Sequence, residues 1–179
     1  MFLNKKKAIL VISICLIFYP LTYNDVKSQE INIITGTAIV ADGDSIKINN
    51  KRIRLVGIDA PEINQKCKHK IWNEYPCGKN SKEFLEALVE SSQITCFYSD
   101  KDRYKRILGV CYIGDENSVA VKNKFKGLEL NSFMVRLGQA VAYIKYSNEY
   151  IDDEKYAIEN RHGIWDGEFE MPWDYRKNN

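Results

Sequence analysis

The chain is 179 residues long, 45% hydrophobic and 12% aromatic, enough apolar material for one packed domain, and this excludes a wholly disordered polypeptide. Its net charge is +2, and removing residues 1–28 takes away four lysines against one aspartate and leaves −1, which excludes a protein that coats nucleic acid through general basicity. Any polyanion contact has to be concentrated in a local cluster of arginines and lysines.

Lys5, Lys6 and Lys7 precede an apolar run from Ala8 to Tyr23, the pattern of a secretory leader. The run is shorter than the roughly 20 residues a spanning helix needs, so export with cleavage near Ser28 is expected; retention as a membrane anchor is the alternative. Cys15 does not read as a lipidation site, because bulky Ile12 and Ile14 stand where small residues are required. Residues 29–179 then form the folded domain, expected as a monomer.

The domain opens with β-type runs over Ile31 to Val40, Ser45 to Asn49 and Arg52 to Ile58, the last two joined by a tight Asn49-Asn50 turn. A polar, lysine-rich loop spans 64–79, after which Ser81 is expected to cap a helix running to Glu90 with Phe84, Leu85 and Leu88 on one face. Ile94 to Tyr98 and Ile107 to Ile113 form a second strand pair around a charged loop. Residues 114–127 read as an exposed excursion. Helices are expected from Leu130 to Leu137, stopped by Gly138, and from an N-cap at Ser147 to Arg161, burying Tyr150, Ile151, Ala157 and Ile158. The order β-β-β-α-β-β-α-α predicts an α+β, mainly β fold: a five-stranded, partly open barrel of the OB type with about three helices packed on it. A split sheet produces the same string.

Apart from Cys15, four cysteines remain, an even number in an apparently exported domain, which suggests two disulfides. Of the three possible pairings, Cys67 with Cys77 and Cys96 with Cys111 are favoured. The first closes a polar loop and the second faces across two strands. Without a C-x-x-C pair the spacings do not read as structural zinc.

The chemistry is concentrated in three tracts. Asp42-Gly43-Asp44-Ser45 and Asp59-Ala60-Pro61-Glu62 lie at strand ends that adjacent strands can bring together, so that Asp44 and Asp59 offer hard oxygen ligands of the kind calcium prefers. Taken singly, each is also an ordinary solvated turn. Glu62, after the rigid Pro61, is a carboxylate spare from the metal and able to take a proton from water. Arg54 and Arg106 supply planar guanidinium groups that can meet two phosphoryl oxygens at once. Arg103 and Tyr104 sit in the same loop as Arg106 and can contact a phosphate or stack on a base.

These tracts, read as Asp42 to Ser45, Arg54 to Glu62 and Asp102 to Arg106, resemble in order and spacing the motifs of the staphylococcal nuclease (thermonuclease) family. The likeness runs from about Ile34 to Trp165. It includes Asn131 to Gly138, similar to an N-x-x-L-V-R-x-G helix with Met134 in place of leucine, and Ala142-Tyr143, similar to the strand lining the nucleotide pocket. The resemblance implies an OB-fold nuclease that uses Ca2+ to cleave DNA and RNA at the P–O5′ bond and leaves 3′-phosphates. It implies metal binding by Asp44, Asp59 and the Ala60 carbonyl, catalysis by Arg54, Glu62 and Arg106, and substrate contacts from Arg103, Tyr104 and Tyr143.

The chain departs from the family pattern in places. Ala60 and Ser45 replace threonines, and Lys105 stands where a glycine usually precedes the arginine, a strained choice if that position needs positive φ. The register after Tyr143 is offset by one, so either Lys145 or Tyr146 fills the second aromatic place. The tail from Gly163 to Arg176 resembles that of exported bacterial relatives and is expected to pack on the barrel as a structural element. A non-catalytic nucleic-acid or protein binding module on the same barrel is the rival reading. Retention of all five side chains, Asp44, Arg54, Asp59, Glu62 and Arg106, favours the enzyme.

Overall fold

β-branched residues placed two apart drive the first half of the chain into strands, because alternate side chains of a strand reach the same face. The computed structural model describes residues 30–179 except 70, 72, 122, 123 and 126, so the expected leader lies outside the described residues. Strands β1 (Asn32–Asp42), β2 (Ser45–Ile48) and β3 (Lys51–Leu55) form an antiparallel meander. Asn49 and Asn50, at φ 48° and 65°, make the two-residue turn between the last two.

The stretch expected as one strand from Arg52 to Ile58 is broken at Gly57. Its φ of 79° and the nearby Tyr150 ring leave no room for a side chain. The chain resumes as β4 (Ile58–Asp59), which pairs with β11 (Val141–Ala142) instead of continuing the barrel.

In the loop that follows, β5 (Cys67–His69) and β6 (Glu74–Tyr75) form a small antiparallel pair ahead of α1 (Cys77–Val89). Helix α1 starts four residues before the predicted Ser81 cap, directly after Pro76 and at a disulfide-linked cysteine. Ser81 is therefore an interior helix residue, fully buried, and its hydroxyl donates to the Gln139 carbonyl at 2.7 Å.

β7 (Gln93–Lys101) and β8 (Ile107–Ile113) complete the sheet, which closes into a barrel in the order β1-β2-β3-β8-β7 and back to β1. The parallel pairing of β3 with β8 seals what the sequence suggested was partly open. Closure removes the exposed edges of the sheet and encloses Ile46, Ile48, Ile53, Leu55, Ile94 and Ile107, each no more than 2% exposed. Each such side chain contributes about 1.5–3 kcal/mol relative to exposure.

The excursion expected at 114–127 holds a one-turn helix α2 (Glu116–Val119) and the short pair β9 (Ala120–Val121) and β10 (Lys124–Phe125). Leu85 of α1 and Leu130 and Met134 of α3 (Leu130–Arg136) cap the barrel core. Asn131, fully buried, fastens α3 to the sheet: its amide donates to the carbonyls of Val56 and Gly109 and accepts from the Cys111 amide. Cys111 faces Cys96 across β8 and β7, and the two are joined.

The last long helix, α4 (Ile151–Glu159), is shorter than the expected span from Ser147 to Arg161. Residues 146–147 turn back on Tyr143, and Tyr150 drops into the core with its hydroxyl on Glu129. Tyr150 and Ala157, seven residues apart, share the buried stripe. Ile151 and Ile158 fall on the next stripe and stay 43% and 46% exposed, contrary to the burial expected of them.

A 3-10 turn (Gly163–Asp166) leads to β12 (Gly167–Glu168), which adds to β5, and the chain ends in α5 (Pro172–Asn178). The tail packs on the Cys67–Cys77 disulfide and Val141 through Ile164, Trp165, Phe169, Met171 and Trp173.

Candidate active site

The turn between β1 and β2 is closed by the Asp44 amide donating to Asp42 Oδ1 at 3.2 Å, which presents Asp44 at the barrel rim. Arg54 on β3 lies opposite Ser45 in register and so beside Asp44, with which it forms an ion pair. The same guanidinium donates to Asp59 Oδ1 at 2.7 Å and to the Ile58 carbonyl at 3.2 Å. Asp44 Oδ2 accepts from the Ala60 amide at 2.9 Å. The side chains of Asp44 and Asp59, 15 residues apart, thus converge on one arginine. Both are buried, Asp59 completely.

Glu62 leaves this cluster on a turn held by Gln65. The Glu62 amide donates to Gln65 Oε1 at 3.1 Å, and the Gln65 amide returns a bond to the Glu62 carbonyl at 2.7 Å. Helix α1 approaches that carbonyl so closely at Gly78 that any β-carbon there would collide with it. The Glu62 carboxylate is more exposed, at 38% of its side chain.

Beside β3, Asp102 organises the loop that carries Arg106 into β8. Its Oδ1 accepts from the amides of Tyr104 and Arg106 and its Oδ2 from Arg106 Nε at 2.7 Å. Burial pushes the Asp102 carboxyl up, but the bonds and charge of Arg106 outweigh this and hold it below the ordinary carboxylate range. Lys105 has φ 63°, the left-handed backbone foreseen for a glycine position. Replacing it, Lys105→Gly should therefore raise unfolding free energy by about 0.5–1 kcal/mol, measured as a higher denaturant midpoint at unchanged slope. An unchanged or lower midpoint would show that the loop carries no strain there. Arg103 and Arg106 both lie over the exposed Tyr104 ring, at 4.8 and 5.7 Å from its centroid.

A single cavity of about 840 Å³ joins these groups. Asp44, Arg54, Ala60, Glu62, Arg103, Tyr104, Arg106 and Tyr143 line it, and Asp59 lies beneath through its bonds to Arg54 and Arg176. Both candidates for the second aromatic place, Lys145 and Tyr146, are also on the wall, and the Tyr146 ring meets Tyr143 edge-on at 4.9 Å.

Two residues of the site lay outside the sequence reading. Gln65 is fully buried and its amide nitrogen donates to the Glu170 carbonyl at 2.6 Å, joining the Glu62 turn to the tail. Arg176 of α5 reaches into the cavity and bonds both Asp59 and Glu62. These two acidic groups, against the opposing pull of burial, keep its guanidinium charged. The tail, expected to pack as a structural element, thus also contacts the carboxylates of the cavity. The available signal was Pro172 opening a helix, with Trp173 and Arg176 three residues apart on one face.

Residues 52–167 match the family described as staphylococcal nuclease homologue. The chain is 34% identical over 144 residues to an uncharacterized endonuclease of Escherichia coli, covering 76% of this chain and 80% of that protein. It is 28% identical over 152 residues to a micrococcal nuclease of Shigella flexneri, covering 77% of each. A succinoglycan biosynthesis protein, ExoI, of Rhizobium meliloti (strain 1021) is 34% identical over 134 residues, and the match spans 74% of this chain but only 64% of that protein.

Proposed function

The chain belongs to the staphylococcal nuclease family, and from that premise we propose that it is a calcium-dependent nuclease hydrolysing DNA and RNA at the P–O5′ bond, with little sequence preference. The observation that carries this reading is the meeting of Asp44 and Asp59 at Arg54, with Glu62 and Arg106 on the wall of the same cavity.

Two buried carboxylates at one point are a hard oxygen donor set, and the chemistry of that set fits calcium. No group of three or more His, Cys, Asp or Glu side chains is arranged to hold a metal ion among the described residues. A cation here would rest on Asp44, Asp59 and the Ala60 carbonyl. When bound, it would polarise the scissile phosphoryl group and offset its growing negative charge.

The chain's own groups account for the rest. Glu62 orients a water and accepts its proton on Oε as the oxygen attacks phosphorus and the P–O5′ bond breaks, the 5′-oxygen leaving as an alkoxide that takes a proton from solvent. Arg54 carries five N–H groups against three protein acceptors, and the remainder can meet an equatorial phosphoryl oxygen. Arg106, held through Nε by Asp102, presents its other nitrogens to the same cavity. Tyr143 offers a ring for a base, and Arg103 and Tyr104 a cationic and aromatic edge for the flanking nucleotide.

Export through the segment 1–28 accords with two disulfides, which persist outside the reducing cytosol. No helix among the described residues is long and apolar enough to cross a membrane. The experiment is digestion of single-stranded DNA by residues 29–179: complete with millimolar calcium, absent with excess chelator, and restored on adding calcium back. Undiminished cleavage in chelator removes the metal from the reaction. Binding without cleavage under every condition leaves the barrel as a recognition module.

A further inference from the structure

We propose that Arg176 is a positioning residue for the Glu62 carboxylate, and that the tail from Glu170 to Arg176 is a clasp that completes the catalytic geometry. This role rests on Glu62 being the base of the proposed reaction.

Glu62 stands on a turn at the cavity rim, and a half-exposed glutamate left to itself samples several rotamers. Arg176 removes that freedom. Its Nη1 donates to Glu62 Oε1 at 2.6 Å and to Asp59 Oδ1 at 3.0 Å, while Nη2 donates to Asp59 Oδ2 at 2.7 Å. Asp59 is fully buried and bonded to Arg54 as well, so it is a fixed reference point. The rigid guanidinium fork therefore ties an exposed carboxylate to an immobile one and sets the distance between base and metal ligand.

The tail grips the same turn elsewhere. Gln65 holds the Glu62 backbone on one side and the Glu170 carbonyl on the other, and the Tyr175 hydroxyl donates to the Asn64 carbonyl at 3.4 Å. One helical turn before Arg176, Trp173 stacks on Tyr143 with centroids 5.4 Å apart and planes 9° from parallel. Tyr143 and Arg176 line the cavity whereas Trp173 lies outside the lining. The indole thus packs the tail against a tyrosine of the cavity wall, as Arg176 packs it against the carboxylates.

The test compares the parent with Arg176→Ala, Arg176→Lys, Glu62→Gln and the Glu62→Gln/Arg176→Ala pair. Hydrolysis of single-stranded DNA in calcium is measured, together with binding of a fluorescent oligonucleotide in chelator. Arg176→Ala should lower kcat by about 10- to 100-fold, as loss of a group orienting a site ligand does, with KM and oligonucleotide affinity within about threefold of the parent. Arg176→Lys should recover part of the loss. In the Glu62→Gln background the Arg176 change should cost much less than in the parent, because its action on the base is already gone and only its bonds to Asp59 remain to be lost.

Unchanged or faster turnover in Arg176→Ala, a loss confined to KM, or losses that multiply in the double variant each overturn the role. Should the alanine variant lose its near-ultraviolet circular dichroism, Arg176→Gln, which keeps two N–H donors, carries the same expectation. Cleavage by the parent and its loss in Glu62→Gln report on the proposed function separately, and a parent that never cleaves removes both readings.

Discussion

Glu62→Gln is expected to lower kcat by about 10²- to 10⁴-fold, the range a positioned general base supplies, or roughly 3–5 kcal/mol of barrier. The substitution removes the proton acceptor and, with its charge, the ion pair to Arg176. The Glu62 amide and carbonyl keep their bonds to Gln65, and Arg176 keeps its two bonds to Asp59, so the turn has no reason to move. The glutamine is nearly the size of the glutamate and sits at the rim, outside the core. KM should therefore stay near the parent's, and the thermal midpoint should shift by no more than a few degrees. Steady-state kinetics on single-stranded DNA decide it. Turnover within about tenfold of the parent would mean that water is activated elsewhere.

Arg54→Ala is expected to cost about 3–5 kcal/mol of folding stability as well as abolishing turnover, because this guanidinium is the hub of a buried charge cluster. Asp44 and Asp59 have side chains 6% and 0% exposed, and Arg54 itself is 14% exposed. Removing it leaves Asp44 without the cation beside it and strips Asp59 of one of its two arginines. The Ile58 carbonyl also loses a donor. Since Arg176 still compensates Asp59, the lower end of the range is the better expectation. For a domain of this size 3 kcal/mol corresponds to a fall in Tm of about 6–12 °C. Urea denaturation gives the free energy directly, and a loss below 1 kcal/mol would show that the cluster is solvated and not a buried network. Asp44→Asn in the Arg54→Ala background should recover part of the stability, since it removes the charge left uncompensated.

The two effects separate the two aspects of the site. Glu62 is half-exposed at the rim, and its loss is expected to be read in rate. Arg54 is buried among carboxylates, and its loss is read in both rate and stability. Arg106 belongs with the first group: Asp102 holds it through neighbouring backbone and Nε, and its side chain stays 29% exposed.

Much of this was legible in the sequence because it is written in short-range periods. Ile46, Ile48, Ile53 and Leu55 alternate at the strand period, and Asn49-Asn50 favours the left-handed turn between them, so the meander follows from local chemistry alone. The pairing of Cys96 with Cys111 follows from the hairpin of β7 and β8, whose register sets them opposite each other. The site tracts were legible for another reason: acidic turns at strand ends and an arginine on the neighbouring strand are fixed relative to one another once the strands pair.

What the sequence left open depends on contacts between distant segments. Helix α1 begins at Cys77 and not at Ser81, because the disulfide and the close approach of Gly78 to Glu62 override the cap signal of a serine. Ile151 and Ile158 are apolar and yet exposed, because Tyr150 and Ala157 claim the inward stripe of α4. Arg176 lies 114 positions after Glu62, and nothing local to either residue encodes their meeting. Local propensity and side-chain chemistry thus determined the strands, the hairpins and which groups are candidates for the site. Barrel closure and the docking of the tail decided which of those groups touch, since a contact across more than a hundred residues is specified by the packing of the intervening core and not by any short stretch of the chain.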